Sequence, residues 1–218
     1  MQNLRIKIAD ELLELLPSKT VFWNRHKILF AADLHLGKTL SRRSRGLYLP
    51  SGIDENDLSA LNEVKRATGA EIIYILGDLF HDSFSLTKDS ILKFKNWIKV
   101  LDAEFHLVIG NHDKKALNSI STLPIRIHVD PIPLDPFWLS HDPVAKPGYF
   151  TLCGHLHPGV RFKDAAGCIH KTKAFWLSQG QLILPAFGTT TSMTVKSQTK
   201  GEIRYLCTDD SVLRLPNE

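Results

Sequence analysis

A short apolar segment that runs into two polar residues constrains the fold of this chain most. Residues 28–32 are all apolar, and Asp33, His35 and Gly37 follow closely. A run of this length is too short for a helix and is typical of a buried strand. Because alternate side chains on a strand share a face, we expect Asp33 and His35 to point the same way at its carboxyl end. Ligand sites of α/β sheets lie at that end, so the segment predicts a polar site there.

The same arrangement returns four more times, each time as polar residues after an apolar, strand-like run. The four further motifs are Gly77-Asp78, Gly110-Asn111-His112-Asp113, Ser140-His141-Asp142 and Gly154-His155-Leu156-His157. Taken singly each motif is weak, because a lone histidine after a strand is more often a structural hydrogen bonder. Three polar groups in a row after an apolar run are costly to place in a core. Together, the five motifs indicate one site that is rich in metal ligands.

The spacing of apolar residues predicts a parallel α/β half followed by a β-rich half. Residues 54–68 and 86–101 have apolar side chains at helical spacing, while residues 71–76 and 105–109 are strand-like runs. Alternation of strands and helices is typical of a parallel sheet. Beyond residue 123 the candidate strands follow one another without helices; they are residues 137–140, 149–152, 174–177, 181–184 and 203–207.

The two halves are expected to form a single domain. A chain of 218 residues suits one sizeable core. No repeat or low-complexity linker separates the halves, and the proline-rich segment 124–136 is the only candidate boundary. We therefore expect one domain over residues 1–218, a sandwich of two sheets with helices outside.

Cysteine usage and hydropathy predict a cytoplasmic location and no part in a membrane. Cys153, Cys168 and Cys207 lie far apart and form no CxxC pair, so buried free thiols are favoured over a zinc site. No apolar run approaches the roughly 18 residues that a membrane span needs. The first residues alternate charged and apolar side chains and lack the continuous apolar core of a signal peptide.

A basic segment follows the first motif and suggests how an anionic substrate could be held. Residues 36–52 contain glycine, end in Pro-Ser-Gly and are interpreted as a functional loop with at most one helical turn. The candidate substrate-binding residues in this loop are Lys38, Arg42, Arg43 and Arg45. One such run is more often a solvated surface, but two further basic pairs follow other motifs: Lys114 with Lys115, and Arg161 with Lys163. Three basic runs beside one site favour a phosphate backbone as the partner.

The order of the motifs, DxH, GD, GNHD, H and GHxH, resembles that of the calcineurin-like metallophosphoesterases. The resemblance covers residues 32–158. It implies an α/β sandwich of two mixed β-sheets flanked by helices, with two metal ions between the sheet ends. The strings ADLHLGK, LGDLFH, GHLHP and LPAFG, together with GNHD, also resemble the bacterial ligase-associated DNA damage response endonucleases.

The resemblance implies a role for each motif residue. Asp33, His35 and His157 would bind the first ion. The second ion would be bound by Asn111, His141 and His155, and the ligand shared by both ions would be Asp78.

Two further residues would act on the substrate without binding metal. The resemblance implies that His112 meets the phosphate or protonates the leaving oxygen, and that Asp113 orients His112. His81, three residues after Asp78, is expected at the rim and outside the ligand set. Imidazole, carboxylate and amide ligands suit Mn, Fe, Co or Zn better than Mg or Ca, and the resemblance favours manganese.

These residues predict hydrolysis of a phosphodiester. Two divalent ions about 3.5–4 Å apart neutralise the ester and acidify water, so that a hydroxide between them could attack phosphorus. The resemblance implies an endonuclease of DNA repair that acts on single-stranded or flexible DNA, alongside a helicase, an exonuclease and an ATP-dependent ligase. A small-molecule phosphodiesterase or phosphatase is the alternative, and a non-catalytic scaffold is a third reading, against which the complete ligand set argues.

Overall fold

Two β-sheets packed face to face make up the molecule, with helices against one outer face. The computed structural model describes residues 2–44, 46, 52–82, 86–163 and 166–216. Within these ranges, no helix has both the length and the apolar composition needed to cross a bilayer.

The first sheet has seven strands that lie side by side in chain order. Its strands are β1 (Leu4–Ile8), β2 (Glu11–Leu15), β3 (Val21–Trp23), β4 (Ile28–Ala31), β5 (Ile72–Leu76), β6 (Glu104–Val108) and β7 (Arg126–His128). Strands β1 to β4 pair antiparallel. Strands β4 to β7 pair parallel, as the alternation of strands and helices predicts. The parallel part therefore brings the carboxyl ends of β4, β5 and β6 to one edge of the sheet.

Helices cover the outer face of the first sheet. They are α1 (Lys38–Ser44), α2 (Ile53–Thr68), α3 (Lys88–Leu101) and the short α4 (Leu117–Ile120). α2 ends at Gly69, whose left-handed backbone lets its N–H donate to the carbonyl of Lys65. α3 begins after Thr87, whose side chain accepts a hydrogen bond from the N–H of Ser90. Leu61 and Phe94 pack into one core with the sheet, so both predicted helices are confirmed.

The second sheet is also mixed. Its order is β15-β14-β12-β13-β10-β9-β8, and β11 pairs with β12. The strands are β8 (Ile132–Leu134), β9 (Phe137–Leu139), β10 (Phe150–Cys153), β11 (Gly159–Lys163), β12 (Ile169–Ser178), β13 (Gln181–Ile183), β14 (Ile203–Cys207) and β15 (Val212–Arg214). β10 runs parallel to β9 and β13, and the other pairs are antiparallel.

One core lies between the two sheets. It includes Trp23 and Phe30 from the first sheet, and Phe137 and Phe175 from the second, each essentially inaccessible to solvent. Burying an aromatic side chain of this size stabilises the fold by about 1.5–3 kcal/mol. The candidate boundary 124–136 contains the point where the chain passes from β7 in the first sheet to β8 in the second, so the shared core joins the residues on either side of it.

The basic segment after the first motif is more helical than expected. α1 spans Lys38–Ser44, so the prediction of a loop with at most one helical turn is wrong for these residues. The helix is held at its start and at its middle, since the N–H of Gly37 donates to Asp54 and the hydroxyl of Ser41 donates to Asp82. Arg45, one of the candidate substrate-binding residues, lies outside the described residues.

Candidate metal centre

The first ligand pair lies beyond its strand, in a turn. β4 ends at Ala31, so the expectation that strand alternation aligns Asp33 and His35 is wrong. Both residues instead have left-handed backbones, with φ of 54° and 50°. The turn is fastened to the one after β5, because the N–H of Asp33 donates to the carbonyl of Gly77 and that of His35 to the carbonyl of Asp78.

Left-handed backbones recur at the other proposed ligands. Asp78, His155 and His157 have φ of 53°, 69° and 49°. Of the ten described non-glycine residues with positive φ, five are therefore proposed metal ligands. Such a backbone costs about 1–3 kcal/mol at a non-glycine residue and clusters at functional sites, where the surrounding structure holds it. Aspartate and histidine are among the residues that tolerate it best.

The first group of ligands converges on one point. Nε2 of His157 lies 3.2 Å from Oδ1 of Asp33 and 3.3 Å from Nε2 of His35. Asp33 and His35 are buried, and His157 is partly exposed. Oδ1 of Asp33 and Nδ1 of His35 make no hydrogen bond within the described part of the chain. A buried carboxylate oxygen without a partner is costly unless a cation binds it.

The second group also converges. Oδ1 of Asn111 lies 2.9 Å from Nε2 of His141 and 3.0 Å from Nδ1 of His155, and the two ring nitrogens are 3.0 Å apart. The other nitrogen of His141, Nδ1, donates to the carbonyl of Leu76. This hydrogen bond assigns the proton to Nδ1 and leaves the lone pair of Nε2 facing Asn111, as in many metal-binding histidines.

Asp78 lies between the two groups. Its Oδ2 is 3.7 Å from Nε2 of His35 in the first group and 3.5 Å from Nε2 of His141 in the second. Its Oδ1 accepts a hydrogen bond from the N–H of His112. Burial raises the pKa of Asp78 more than the neighbouring His141 lowers it. A cation bound beside Asp78 would therefore strongly stabilise its charged carboxylate.

The donor set fits two divalent cations. Burial lowers the pKa of His35 to about 2, and His157 and Lys38 add to this effect. The imidazole is thus neutral near pH 7 and can offer a lone pair. Among the residues that the structure describes, four clusters of three histidine and aspartate side chains are close enough to hold an ion, including Asp33 with His35 and His157. Mixed nitrogen and oxygen donors suit Mn, Fe, Co or Zn.

His112 lies beside this centre, with its ring anchored by the main chain. Its Nε2 is 4.0 Å from Oδ2 of Asp78, and its Nδ1 makes a hydrogen bond to the carbonyl of His81. The side chain is 30% exposed, so it can reach a bound substrate.

Asp113 does not have the contact that the resemblance implies. Its buried carboxylate accepts hydrogen bonds from the N–H groups of Leu79, Phe80 and Gly110, and the His112 ring is held by His81 instead. Burial raises the pKa of Asp113 to about 6 despite these donors. Among the described residues Asp113 joins the turn after β6 to the turn after β5, and its role in orienting the His112 ring stays a prediction.

His81 lies closer to the centre than expected. Its ring stacks on that of His112 at 5.0 Å between centroids, and one nitrogen of each falls in a cluster with His35. Nδ1 of His81 is buried and makes no hydrogen bond within the described residues. Burial, followed by His112, lowers its pKa to about 4. The sequence feature that could have placed His81 near the ligands is its position three residues after Asp78.

The basic residues do not all converge on the centre. Lys38 is buried beside it, where burial and then Arg42 lower the Lys38 pKa while Asp33 raises it. Arg42 lies one helical turn further along α1. Arg43 instead lines a cavity of about 270 Å³ with residues of α2 and α3. The exposed pair Lys114 and Lys115 follows the turn after β6.

Residues 186–188 and Lys173 hold the first motif in place through hydrogen bonds that were not predicted from the sequence. The N–H of Phe187 donates to the carbonyl of Ala32, and that of Gly188 to the carbonyl of Asp33. Nζ of Lys173, from β12, donates to the carbonyls of Ala186 and Gly188, each at 2.7 Å. Burial lowers the pKa of Lys173 to about 8. The second sheet thereby holds the turn that carries the first ligand pair.

Comparisons with solved structures and with curated proteins show what this chain is similar to. The chain is similar over nearly its whole length to a nuclease, MPE, from Pseudomonas putida, with 26% sequence identity and a TM-score of 0.83. The match covers 98% of this chain and all of that one. A protein of unknown function from Aquifex aeolicus is similar over 65% of this chain and 82% of its own, with 19% identity and a TM-score of 0.42. A search of curated proteins found no match.

The family model for calcineurin-like phosphoesterases matches residues 26–188. That range contains all five motifs and both sheets' contributions to the site, so the predicted sandwich of mixed sheets is confirmed. The chain belongs to the calcineurin-like phosphoesterase family.

Proposed function

We propose that this protein is a phosphodiesterase dependent on two metal ions, and that it cuts DNA internally during DNA repair. The observation that carries the proposal is the position of Asp78. Its Oδ2 lies 3.7 Å and 3.5 Å from one ring nitrogen in each of two ligand groups. A shared carboxylate is what two ions acting on one phosphodiester require. The similarity to a nuclease over the whole chain supports DNA as the substrate.

The two ligand groups would each hold one ion. Asp33, His35 and His157 would hold the first, and Asp78 would be shared. The remaining ligands, for the second ion, would be Asn111, His141 and His155. When bound, the ions would neutralise the phosphodiester and shift the pKa of water towards neutrality. Manganese is the proposed metal, and zinc, iron and cobalt suit the same donors.

The chain itself would supply a proton and positive charge. His112 would donate a proton from Nε2 to the leaving oxygen, while the His81 carbonyl holds Nδ1 and so fixes the ring. Lys38 would add positive charge beside the first ligand group, and Arg42 would extend that charge along α1. Asp113 would keep the turns after β5 and β6 in register.

Replacing His112 by asparagine is expected to separate two kinds of substrate. Loss of a general acid lowers kcat by about 10²–10⁴-fold when the leaving group is a basic alkoxide, as in DNA. An aryl phosphodiester with an acidic phenol as leaving group needs no proton, and its kcat should fall much less. Steady-state kinetics on both substrates checks this. An equal loss on both would remove the proton-donor role and leave His112 as a phosphate contact.

The choice of substrate is testable with the purified protein and manganese. We expect the protein to cut single-stranded DNA internally and to hydrolyse an aryl phosphodiester. Gel electrophoresis detects the first reaction, and absorbance of the released phenol detects the second. A cyclic nucleotide and an aryl phosphomonoester serve as comparisons. Cleavage of the small esters alone would support a small-molecule phosphodiesterase or phosphatase on the same scaffold and contradict the nuclease proposal.

The wider setting is proposed from the resemblance and the shared core. The protein would work in the cytoplasm with a helicase, an exonuclease and an ATP-dependent ligase.

Residues 1–218 would form one domain. One domain should unfold in a single cooperative transition, with the same midpoint by fluorescence and by circular dichroism.

A further inference from the structure

The hairpin of β11 and β12 carries a row of basic side chains. Arg161 and Lys171 lie directly opposite each other in the antiparallel pair, and Lys163 follows Arg161 by two residues. Directly paired residues and alternate residues on a strand share one face. All three side chains are exposed. The row is therefore a continuous strip of positive charge and not three scattered cations.

The strand that carries this row starts close to the candidate metal centre. β11 starts at Gly159, two residues after the proposed ligand His157. The N–H of Gly159 donates to the carbonyl of Thr194, and the N–H of Thr194 donates to the carbonyl of His157. β11 and residues 195–198, which form the two walls of the groove described next, thus both start beside His157. At about 3.3 Å per residue, Lys163 lies roughly 13 Å beyond Gly159 along the strand.

A groove of about 850 Å³ runs along the hairpin. The three residues of the row line it, with Lys196 on the opposite wall, and none of its described lining residues is acidic. Arg204 also lines the groove, but its charge is balanced by Glu202 at 2.6 Å.

The wall opposite the hairpin is held in place. The guanidinium of Arg204 donates to the carbonyls of Lys196 and Ser197. The ammonium of Lys196 lies over the ring of Trp176, 4.6 Å from its centroid. The groove is therefore pre-formed, which reduces the entropy lost when a ligand binds.

The groove also offers apolar and aromatic surface. Ile169 and Val195, both in its lining, are 59% and 38% exposed. Phe162 is also in the lining and only partly buried. It alternates with Arg161 and Lys163 along β11, so its ring, stacked on His170 at 5.4 Å between centroids, lies on the other face of the hairpin from the basic row. Positive charge for the backbone, with exposed Ile169 beside it and an aromatic ring at the edge of the same hairpin, suits a single strand whose bases are free to contact these surfaces. A duplex would hide the bases from such a surface.

We propose that this groove is a second binding site for a single-stranded nucleic acid, holding the strand several nucleotides from the phosphate that is cut. The site deepens the proposed nuclease function and rests on it for the direction of the strand towards His157. It makes affinity depend on strand length, because only a strand that extends beyond the metal centre reaches Arg161, Lys163 and Lys171. Hydrolysis of a small phosphodiester does not use it.

The test compares two triple variants of the full chain. The groove variant combines Arg161→Ala, Lys163→Ala and Lys171→Ala. The matched control removes the same charge elsewhere and combines Lys7→Ala, Arg66→Ala and Lys99→Ala, three exposed cations on the first sheet, α2 and α3. Binding is measured by fluorescence anisotropy without added metal, using a strand of about 20 nucleotides and one of about 4, since such grooves cover roughly 4–16 nucleotides.

The groove variant should bind the longer strand about tenfold more weakly. The slope of log K against log salt should fall by about 2, because each phosphate contact to a single strand contributes roughly 0.7. The short strand, which spans less of the groove, should lose less affinity than the long one, and thermal unfolding and hydrolysis of an aryl phosphodiester should not change. Equal weakening in the control, an unaltered salt slope, or a parallel loss on the aryl ester would each overturn the groove site. Length-dependent binding that persists without any cleavage of DNA would instead contradict the nuclease function and leave the groove intact.

Discussion

Changing Asp78 to asparagine is expected to lower kcat/KM for every phosphodiester by about 10³-fold, the equivalent of about 4 kcal/mol. Oδ2 of Asp78 lies between His35 and His141, one from each ligand group. An amide has nearly the same shape but no negative charge, so it cannot neutralise two cations at once. Both ions would bind more weakly, and the loss should not depend on the leaving group.

The same variant should behave differently with and without metal. In the metal-free protein, burial raises the Asp78 pKa, so removal of this charge should leave the free energy of unfolding unchanged or raise it. In the wild type, manganese at about 100 times its Kd should raise the free energy of unfolding by roughly 2.7 kcal/mol. In the variant, manganese should raise it by much less. Exposed Asp130→Asn is the matched control. A full manganese shift in the Asp78 variant would contradict the bridging role.

Changing Gly188 to alanine is expected to cause the second large loss. A Cβ at this position would lie 2.1 Å from the carbonyl oxygen of Leu34 and 2.9 Å from its carbon. Both are main-chain atoms between Asp33 and His35, so a side-chain rotation cannot relieve the clash. We expect a loss of about 3 kcal/mol in the free energy of unfolding, at the upper end for overpacking, and at least about 10²-fold in kcat/KM, the effect of a displacement near 1 Å.

Denaturant unfolding and steady-state kinetics measure the two effects separately. Gly201→Ala is a useful control, since its Cβ would meet nothing within 4 Å and its φ of +81° alone opposes alanine. That left-handed backbone should cost about 1–2 kcal/mol with kcat/KM unchanged. Wild-type kinetics in Gly188→Ala would mean that the first ligand turn does not depend on the segment beneath it.

Periodicity and short motifs were enough to predict most of the architecture. α2 and α3 were predictable because apolar residues recur at helical spacing. β5 was predictable because its run is uniformly apolar, and β6 because Phe105, Leu107 and Val108 make it mostly so. α1 was not predicted, because its sequence is polar and its buried residues are Lys38, Thr39 and Ser41. Strands such as β8 and β15 have only three residues each, too few for a period to be recognised.

The identity of the converging residues was predictable, but the way in which they converge was not. The backbone of Asp33 is left-handed, and no pattern of side chains encodes that conformation at an aspartate. The hydrogen bonds of Asp113 depend on how the turns after β5 and β6 pack. Lys173 lies in β12 among other polar residues, and only the folded chain brings its ammonium under Gly188.

The chain order of the ligands has a consequence for synthesis of the protein. Asp33, Asp78 and Asn111 follow strands of the first sheet, whereas His141, His155 and His157 follow strands of the second. Chains emerge from the ribosome from the amino terminus. A nascent chain that stops short of residue 155 lacks a ligand for each of the two ions, and one that stops short of Gly188 also lacks the support under Asp33. Metal-dependent hydrolysis would thus require synthesis to have passed residue 188, and shorter products would be inactive.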